Sequence, residues 1–243
     1  MAKEVVRLTY QTRNDILEQN TKTDAKICFS TLSSLAQFFI PAWLKGLKPY
    51  IDTEHFNVRT DFGGVDDYLK ALADGIVDFF ICYEDPAGSI LDDEPEQFCS
   101  LKLGEETLVA VVSPDCDGKP NWWLPAKPQC AIPYLHTNAT LSLWPIKRHL
   151  DKRYHDLTFT PVYEASIATA LKAMVIEGYG VAWVPRSIIV DDLANGRLVR
   201  AAEDDDDILV NIKIFKHTAC IDPRIQKFWQ VLTQRYPPRV NPS

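Results

Sequence analysis

The sequence predicts an α/β fold of two lobes, each of roughly a hundred residues, joined by two long strands that cross between them. Three observations carry this expectation. Apolar runs of strand length alternate with amphipathic runs of helical length in a β-α-β-α-β order, which calls for a parallel sheet. The alternation stops at a Pro- and Trp-rich stretch, PDCDGKPNWWLPAKP (114–128), and then starts again. Two long strand patterns, TLVAVVS and ILVNIKIF, stand at the junctions of the two sets.

The elements follow in order. Residues 1–22 are polar, with Val5, Leu8, Ile16 and Leu17 as one sparse helical stripe. AKICFSTL reads as a buried strand and SSLAQFFIPAWLKGL as a helix over 34–47. Ser34 and Gln37 have the S-x-x-Q form of a capping box, and Pro41 is placed to kink this helix. FNVRTDF (56–62) is a strand and Gly63-Gly64 a turn. VDDYLKALADG is an amphipathic helix with Val65, Leu69, Leu72 and Ala73 inward and Gly75 at its end. The strand VDFFICY (77–83) follows, then a loop with Asp92, Asp93, Glu94 and Glu96, then the strands CSLKL and TLVAVVS.

The second set is a strand at 129–135, a helix at 140–152, a strand at 158–164 and a helix at 166–178. A strand at 180–184, a helix at 185–194 and a strand at 197–201 complete it. After the acidic run 203–207, ILVNIKIFKH is a strand. Asp222-Pro223 opens a last helix with Ile225, Phe228, Trp229 and Leu232 at helical spacing. The lobes are therefore expected at 23–106 and 107–209, with a return to the first over 210–236. Parallel strands would then point their C-terminal ends into a cleft, where open α/β sheets bind ligands.

Composition narrows the function. Hydrophobic residues make up 46% and charged residues 24%, as in ordinary globular domains. No run approaches the roughly 18 apolar residues of a membrane helix, and the charged first twenty residues lack the apolar core of a signal peptide. The net charge of −7 makes the chain by itself a poor nucleic-acid binder. Six cysteines at irregular spacings, without C-x-x-C, read as reduced cytoplasmic thiols. Cys28 and Cys82 sit in apolar runs; Cys116, between Asp115 and Asp117, should be exposed.

Neither a catalytic motif nor a cofactor motif survives inspection. G-x-S-x-G, a Walker A sequence and H-E-x-x-H are absent, and Gly63-Gly64 lacks the G-x-G-x-x-G spacing. The histidines do not cluster at metal spacing, and the acidic runs lack the pattern of a calcium loop. What the cleft offers is short polar side chains at strand-to-helix turns: Ser33 and Ser34 after the first strand, with Leu32 just before them as a further candidate contact, Thr137 and Asn138 after QCAIPYL, and Ser166 after TPVYEA. Tyr83 and His136 end strands at the same place. Such turns suit a small polar or anionic ligand, and equally they suit helix capping.

VDDYLKALADGIVDFFICYE resembles a motif of LysR-type transcriptional regulators, a helix, then L-x-x-G-x-x-D, then an apolar strand. YEASIATALKAMVIEGYGVAWVPRSII, with Gly196, Leu198 and Val199 after it, is similar to their second-lobe motif. FSTLSSLAQFFIPAWLKGL resembles their first strand and interface helix. The resemblance covers about residues 24–232. It implies two Rossmann-like lobes joined by two crossover strands, a type 2 periplasmic-binding-protein-like fold, that senses an effector and is not an enzyme. Residues 1–22 would be the end of a linker helix, and promoter DNA would be contacted only through an N-terminal winged helix-turn-helix that is not in this sequence. It further implies a homodimer or homotetramer, in which helix 34–47 packs on a partner through Phe39 and Trp43.

IEGYGVAWVPRSIIVDDLANGRLV and DPRIQKFW most resemble the hypochlorite-responsive branch of the family. An oxidant sensor of this kind needs sulfur near the cleft, and Cys82 and Met174 are the candidates. No Lys or Arg lies within three positions of Cys82, and Glu84 opposes a thiolate, so buried packing is the expected role for both. Two other classes fit the cleft. A transporter's solute-binding protein shares the two-lobe fold, and a two-lobed enzyme would use His136 or a cysteine as base or nucleophile.

Overall fold

The computed structural model describes residues 26–51, 55–88, 96–138 and 140–237. The segment 1–22 and the acidic positions 92–94 lie outside them. The described chain runs β1 (Ile27–Thr31), α1 (Ser33–Phe38), α2 (Ile40–Leu47), β2 (Phe56–Arg59), α3 (Val65–Ala73), β3 (Phe79–Glu84) and β4 (Phe98–Val112). It continues through β5 (Ile132–Thr137), α4 (Thr140–Arg153), β6 (Phe159–Ala165), α5 (Ala168–Ile176), β7 (Ala182–Pro185), α6 (Val190–Ala194), β8 (Val199–Arg200), β9 (Ile208–His217) and α7 (Pro223–Arg235).

The chain forms two compact units. The first takes the described residues up to Cys82, Gly88–Gly104 and the chain from Ile212 onward; the second takes Tyr83–Ala87 and Glu105–Asn211. The change of unit therefore falls inside β3, inside β4 and inside β9. Sequence reading placed the last two changes at 106/107 and 209/210, and it kept Tyr83–Ala87 in the first lobe.

In the first unit the strand order is β2-β1-β3-β9-β4. β1 pairs in parallel with both β2 and β3. Alternation in β1 sends Phe29 to a face where aromatic rings collect. Its ring centroid lies 5.9 Å from Trp43, 5.9 Å from Phe56, 5.5 Å from Phe79 and 5.8 Å from Phe228. Phe228 comes from α7, so the last helix packs in the unit that holds the first strand. Asp222 starts that helix by accepting the Arg224 N–H at 2.8 Å, with Pro223 at its first position.

Several elements differ from expectation. The helix read over 34–47 breaks at Phe39 into α1 and α2, because Pro41 brings a ring and no N–H and so begins a new helix better than it continues an old one. The S-x-x-Q pattern is not a capping box: the helix starts at Ser33, Leu32 is its N-cap without a side-chain bond, Ser34 is buried and Gln37 is exposed. CSLKL and TLVAVVS are one strand, the fifteen-residue β4, since Gly104-Glu105-Glu106 continues in extended form. In α3, Tyr68, Ala71 and Leu72 are the buried residues, with Val65, Leu69 and Ala73 half-buried.

In the second unit β5 pairs in parallel with β6, while β4 pairs antiparallel with β7 and β8. Its core gathers Val109, Val111, Leu135, Leu171, Val184 and Leu198. The helix read over 185–194 is a 3-10 turn at Arg186–Ile188 followed by the short α6. Asp192 of α6 is buried but paired, to Lys172 at 2.9 Å and to Arg197. Lys172 also donates to the Ile188 carbonyl at 3.0 Å, which ties α6 to α5.

β5 and β7 approach unusually closely at Gly180. Val181 N–H donates to Pro133 O and Leu135 N–H to Val181 O, both at 2.9 Å. Gly180 has φ +150, and a Cβ there would collide with the Pro133 carbonyl group. The neighbour is backbone and cannot swing away. Gly180→Ala should therefore destabilise the protein by about 2–3 kcal/mol, read as a lowered denaturation midpoint. An unchanged midpoint would show that the strands can part. Phe29→Ala should cost about 3–5 kcal/mol in the same assay.

Candidate ligand-binding strand ends

The C-terminal end of β1 is held from two sides. Thr31 Oγ1 donates to the Ile81 carbonyl of β3 at 2.8 Å, and the Tyr68 hydroxyl of α3 donates to the Thr31 carbonyl at 3.1 Å. Tyr68 stacks on Phe80 at 4.8 Å, and burial, with the Asp61 carboxylate second, pushes its phenol above the ordinary range. It therefore stays a donor at neutral pH. On this frame follow Leu32 and Ser33, both half-buried, and Ser34, buried. Sequence reasoning missed Thr31 and Tyr68. The signal for Tyr68 was present, since it lies three residues after Val65 on the inward stripe of α3.

The second unit brings its predicted residues together by strand register. His136 lies opposite Glu164 and Thr137 opposite Ala165 in the parallel β5–β6 pair. Ser166 follows directly. Asn138 spans the two strand ends: its N–H donates to the Ala165 carbonyl at 3.3 Å and its side-chain amide to Glu164 Oε1 at 2.9 Å. Thr137 is buried, His136 half-buried, and Asn138 and Ser166 exposed. The His136 ring meets Tyr134 edge-on at 5.7 Å. Ser166 does not cap α5, whose N-cap is Ile167 without a side-chain bond. Its hydroxyl is thus not used up in starting the helix.

These groups can donate and accept hydrogen bonds. Among the described residues no group of three His, Cys, Asp or Glu could hold a metal ion. Two other strand-end residues are placed differently. β3 runs on to Glu84, and Tyr83 and Cys82 are fully buried within it, so the strand does not open at Tyr83 as expected. Cys82 is part of the core. Met174 is half-buried against the core of the second unit, which is its packing role.

The expected interface residues also separate. Trp43 is 7% exposed and its ring lies against Phe29 and Phe228, so it is a core residue and not a free partner surface. The misassignment came from counting apolar residues around one helix where the break at Phe39 makes two. Phe39 is half-buried and stacks on Trp43 at 6.0 Å, and Phe38 is 42% exposed.

Thiol chemistry follows burial. Cys116 and Cys130 are exposed, whereas Cys82 and Cys220 are buried. Burial pushes the Cys220 and Cys99 thiols up, which lowers their thiolate fraction. In a time course with iodoacetamide, Cys116 and Cys130 should label first and Cys82 and Cys220 last, read by peptide mass spectrometry. Early labelling of Cys82 would contradict its place in the core.

Among the described residues no helix is long and apolar enough to cross a membrane. The family model of the LysR substrate binding domain matches residues 21–237. The HTH-type transcriptional regulator YjiE of Escherichia coli K12 is 22% identical over 86% of this chain, and the match spans 65% of that relative's length. The HTH domain-truncated transcriptional regulator QseD of Escherichia coli O157:H7 is also 22% identical, over 86% of this chain and 81% of the relative. The regulatory domain of HypT from Salmonella typhimurium in its apo form has the same fold, with a TM-score of 0.71 and 24% identity over 88% of this chain and 96% of that one. A mutant of the OxyR2 regulatory domain from Vibrio vulnificus shares the fold at a TM-score of 0.63 and 16% identity, over 87% of this chain and 94% of that one. With its two α/β units, its crossing strands and a family match over nearly its whole length, the chain belongs to the LysR substrate binding domain family.

Proposed function

We propose that this chain is the effector-sensing part of a LysR-type transcriptional regulator. The polar groups it offers to a small polar or anionic molecule are Ser33 and Ser34 at the end of β1 in the first unit, and His136, Thr137, Asn138 and Ser166 at the ends of β5 and β6 in the second. The observation that carries this reading is the family match over residues 21–237, together with polar side chains at the C-terminal ends of parallel strands in both units. A ligand that prefers one conformation of the chain shifts the population toward it. In the whole regulator, acting in the cytoplasm, that shift changes how a separate DNA-binding part meets a promoter.

The relatives' names favour a regulator over a transporter's solute-binding protein. The burial of Cys82 and the packing of half-buried Met174 against the second core favour a bound effector over direct sulfur oxidation. Self-association as a homodimer or homotetramer uses the α1–α2 surface around Phe38 and Phe39.

A thermal-shift screen of small carboxylates and polar metabolites should find compounds that raise the melting temperature. For any such compound, Thr137→Val and Ser166→Ala should each weaken binding about tenfold, the worth of one hydrogen bond. Equal binding by wild type and both variants would overturn the strand-end assignment. Phe38→Asp, at an exposed position, should leave the fold intact and weaken self-association in sedimentation experiments. A wild-type chain that is already monomeric at micromolar concentration would overturn the interface.

A further inference from the structure

The second unit contains a ring cage that the proposed ligand site does not use. His149, near the end of α4, sits between Tyr154 and Trp183, with ring centroids at 5.7 Å and 6.4 Å; Tyr154 and Trp183 are themselves 6.4 Å apart. Phe159 and Tyr134 close the far side of Trp183, both at 6.0 Å. Trp183 is 2% and Tyr154 6% exposed. His149 Nε2, Trp183 Nε1 and Tyr154 Oη are all buried without a hydrogen-bond partner among the described residues, while His149 as a whole is half-buried. The nearby buried carboxylate, Asp206, already accepts from Arg153 Nε at 2.6 Å. Burial, with Asp206 second, also raises the Tyr154 phenol, so Tyr154 stays neutral throughout the range that matters here.

A neutral imidazole fits this cage as a flat, largely apolar ring. An imidazolium fits less well: its charge is taken out of water on the Nε2 side, and Asp206, which would favour it, already accepts from Arg153 through Oδ1. The charged groups that face His149 divide in sign. Asp206 and Asp207 favour its protonated form; Arg153 and Arg148 of the same helix oppose it. Arg148 is itself engaged with Asp85 at 2.8 Å. Burial is the largest influence and holds the imidazole below its ordinary 6.5.

We propose that His149 is a proton-operated latch: neutral, it docks the last turn of α4 and Tyr154 onto Trp183; protonated, it must compete with Arg153 for Asp206, and the turn lets go. The sign follows from linkage. Above about pH 6.5 docked and undocked forms are both neutral and docking is unaffected by pH. Below it the undocked form takes the proton first, so docking weakens until the docked form also titrates. α4 begins just after the β5 strand end, so the latch joins ambient pH to the element beside Thr137 and Asn138.

Hydrogen exchange of the chain between about pH 7.5 and 5.5 tests this. Protection of residues 147–154, corrected for intrinsic exchange, should fall below about pH 6.5 by at most tenfold per pH unit, the limit for one proton. His149→Phe keeps a ring in the cage and should abolish that pH dependence, while His217→Phe in the first unit should leave it unchanged. Direct NMR titration of His149 in the unmodified chain should give a midpoint below 6.5, a readout that does not depend on the variant folding. Protection of 147–154 that does not vary with pH, a pH dependence that survives in His149→Phe or disappears in His217→Phe, or a His149 midpoint at or above its ordinary value would each overturn the latch.

Discussion

Burial of the Phe29 ring is the constraint on which the first unit depends. Phe29 lies on β1, yet two of its four ring partners come from distant chain: Phe79 from β3 and Phe228 from α7. Each aromatic contact adds about 0.5–1.5 kcal/mol beyond the area it buries, and the one with Phe228 cannot form until the chain has returned from the second unit. The parallel pairing of β1 with β2 and β3 and the docking of α7 therefore support one another. Trp43 belongs to the same cluster, which is why α2 turns its indole inward.

The recognition surface proposed in each unit rests on that packing at one remove. In the first unit, the Thr31 and Tyr68 bonds fix where β1 stops and so where Leu32 and Ser33 begin. In the second, register has the same effect: Asn138 ties the end of β5 to Glu164 and Ala165, and Thr137 stands opposite Ala165, the residue before Ser166. Gly180 lets the chain entering β7 approach β5 at backbone distance beside Pro133. In each unit the polar residues proposed as contacts are positioned by strands and their hydrogen-bond ladders, as a preorganised binding surface requires.

The acidic net charge and the family match agree with the proposed reading of a domain that binds an effector. The sulfur atoms fit this as well. The two candidates for oxidation are a core cysteine within β3 and a methionine packed against the second core. The residues with accessible thiols, Cys116 and Cys130, lie in the stretch between β4 and β5 and not at the strand ends.

Alternation of strand and helix patterns, Gly75 ending α3, Asp222-Pro223 starting α7 and the cysteine spacings could all be read along the chain, because each is a local matter of periodicity or of one residue's backbone preference. The grouping of Thr137 and Asn138 with Ser166 was also legible, since parallel strands bring their C-terminal ends together. What only the tertiary structure decided depends on neighbours far away in sequence. Ser34 reads as a helix-starting cap but is buried inside α1. Trp43 reads as surface but is claimed by Phe29 and Phe228. Tyr83 reads as an open strand end but is fully buried, one residue before β3 stops. A side chain on an amphipathic segment has one apolar face by local pattern, but which face is covered, and how far, is settled by what packs against it.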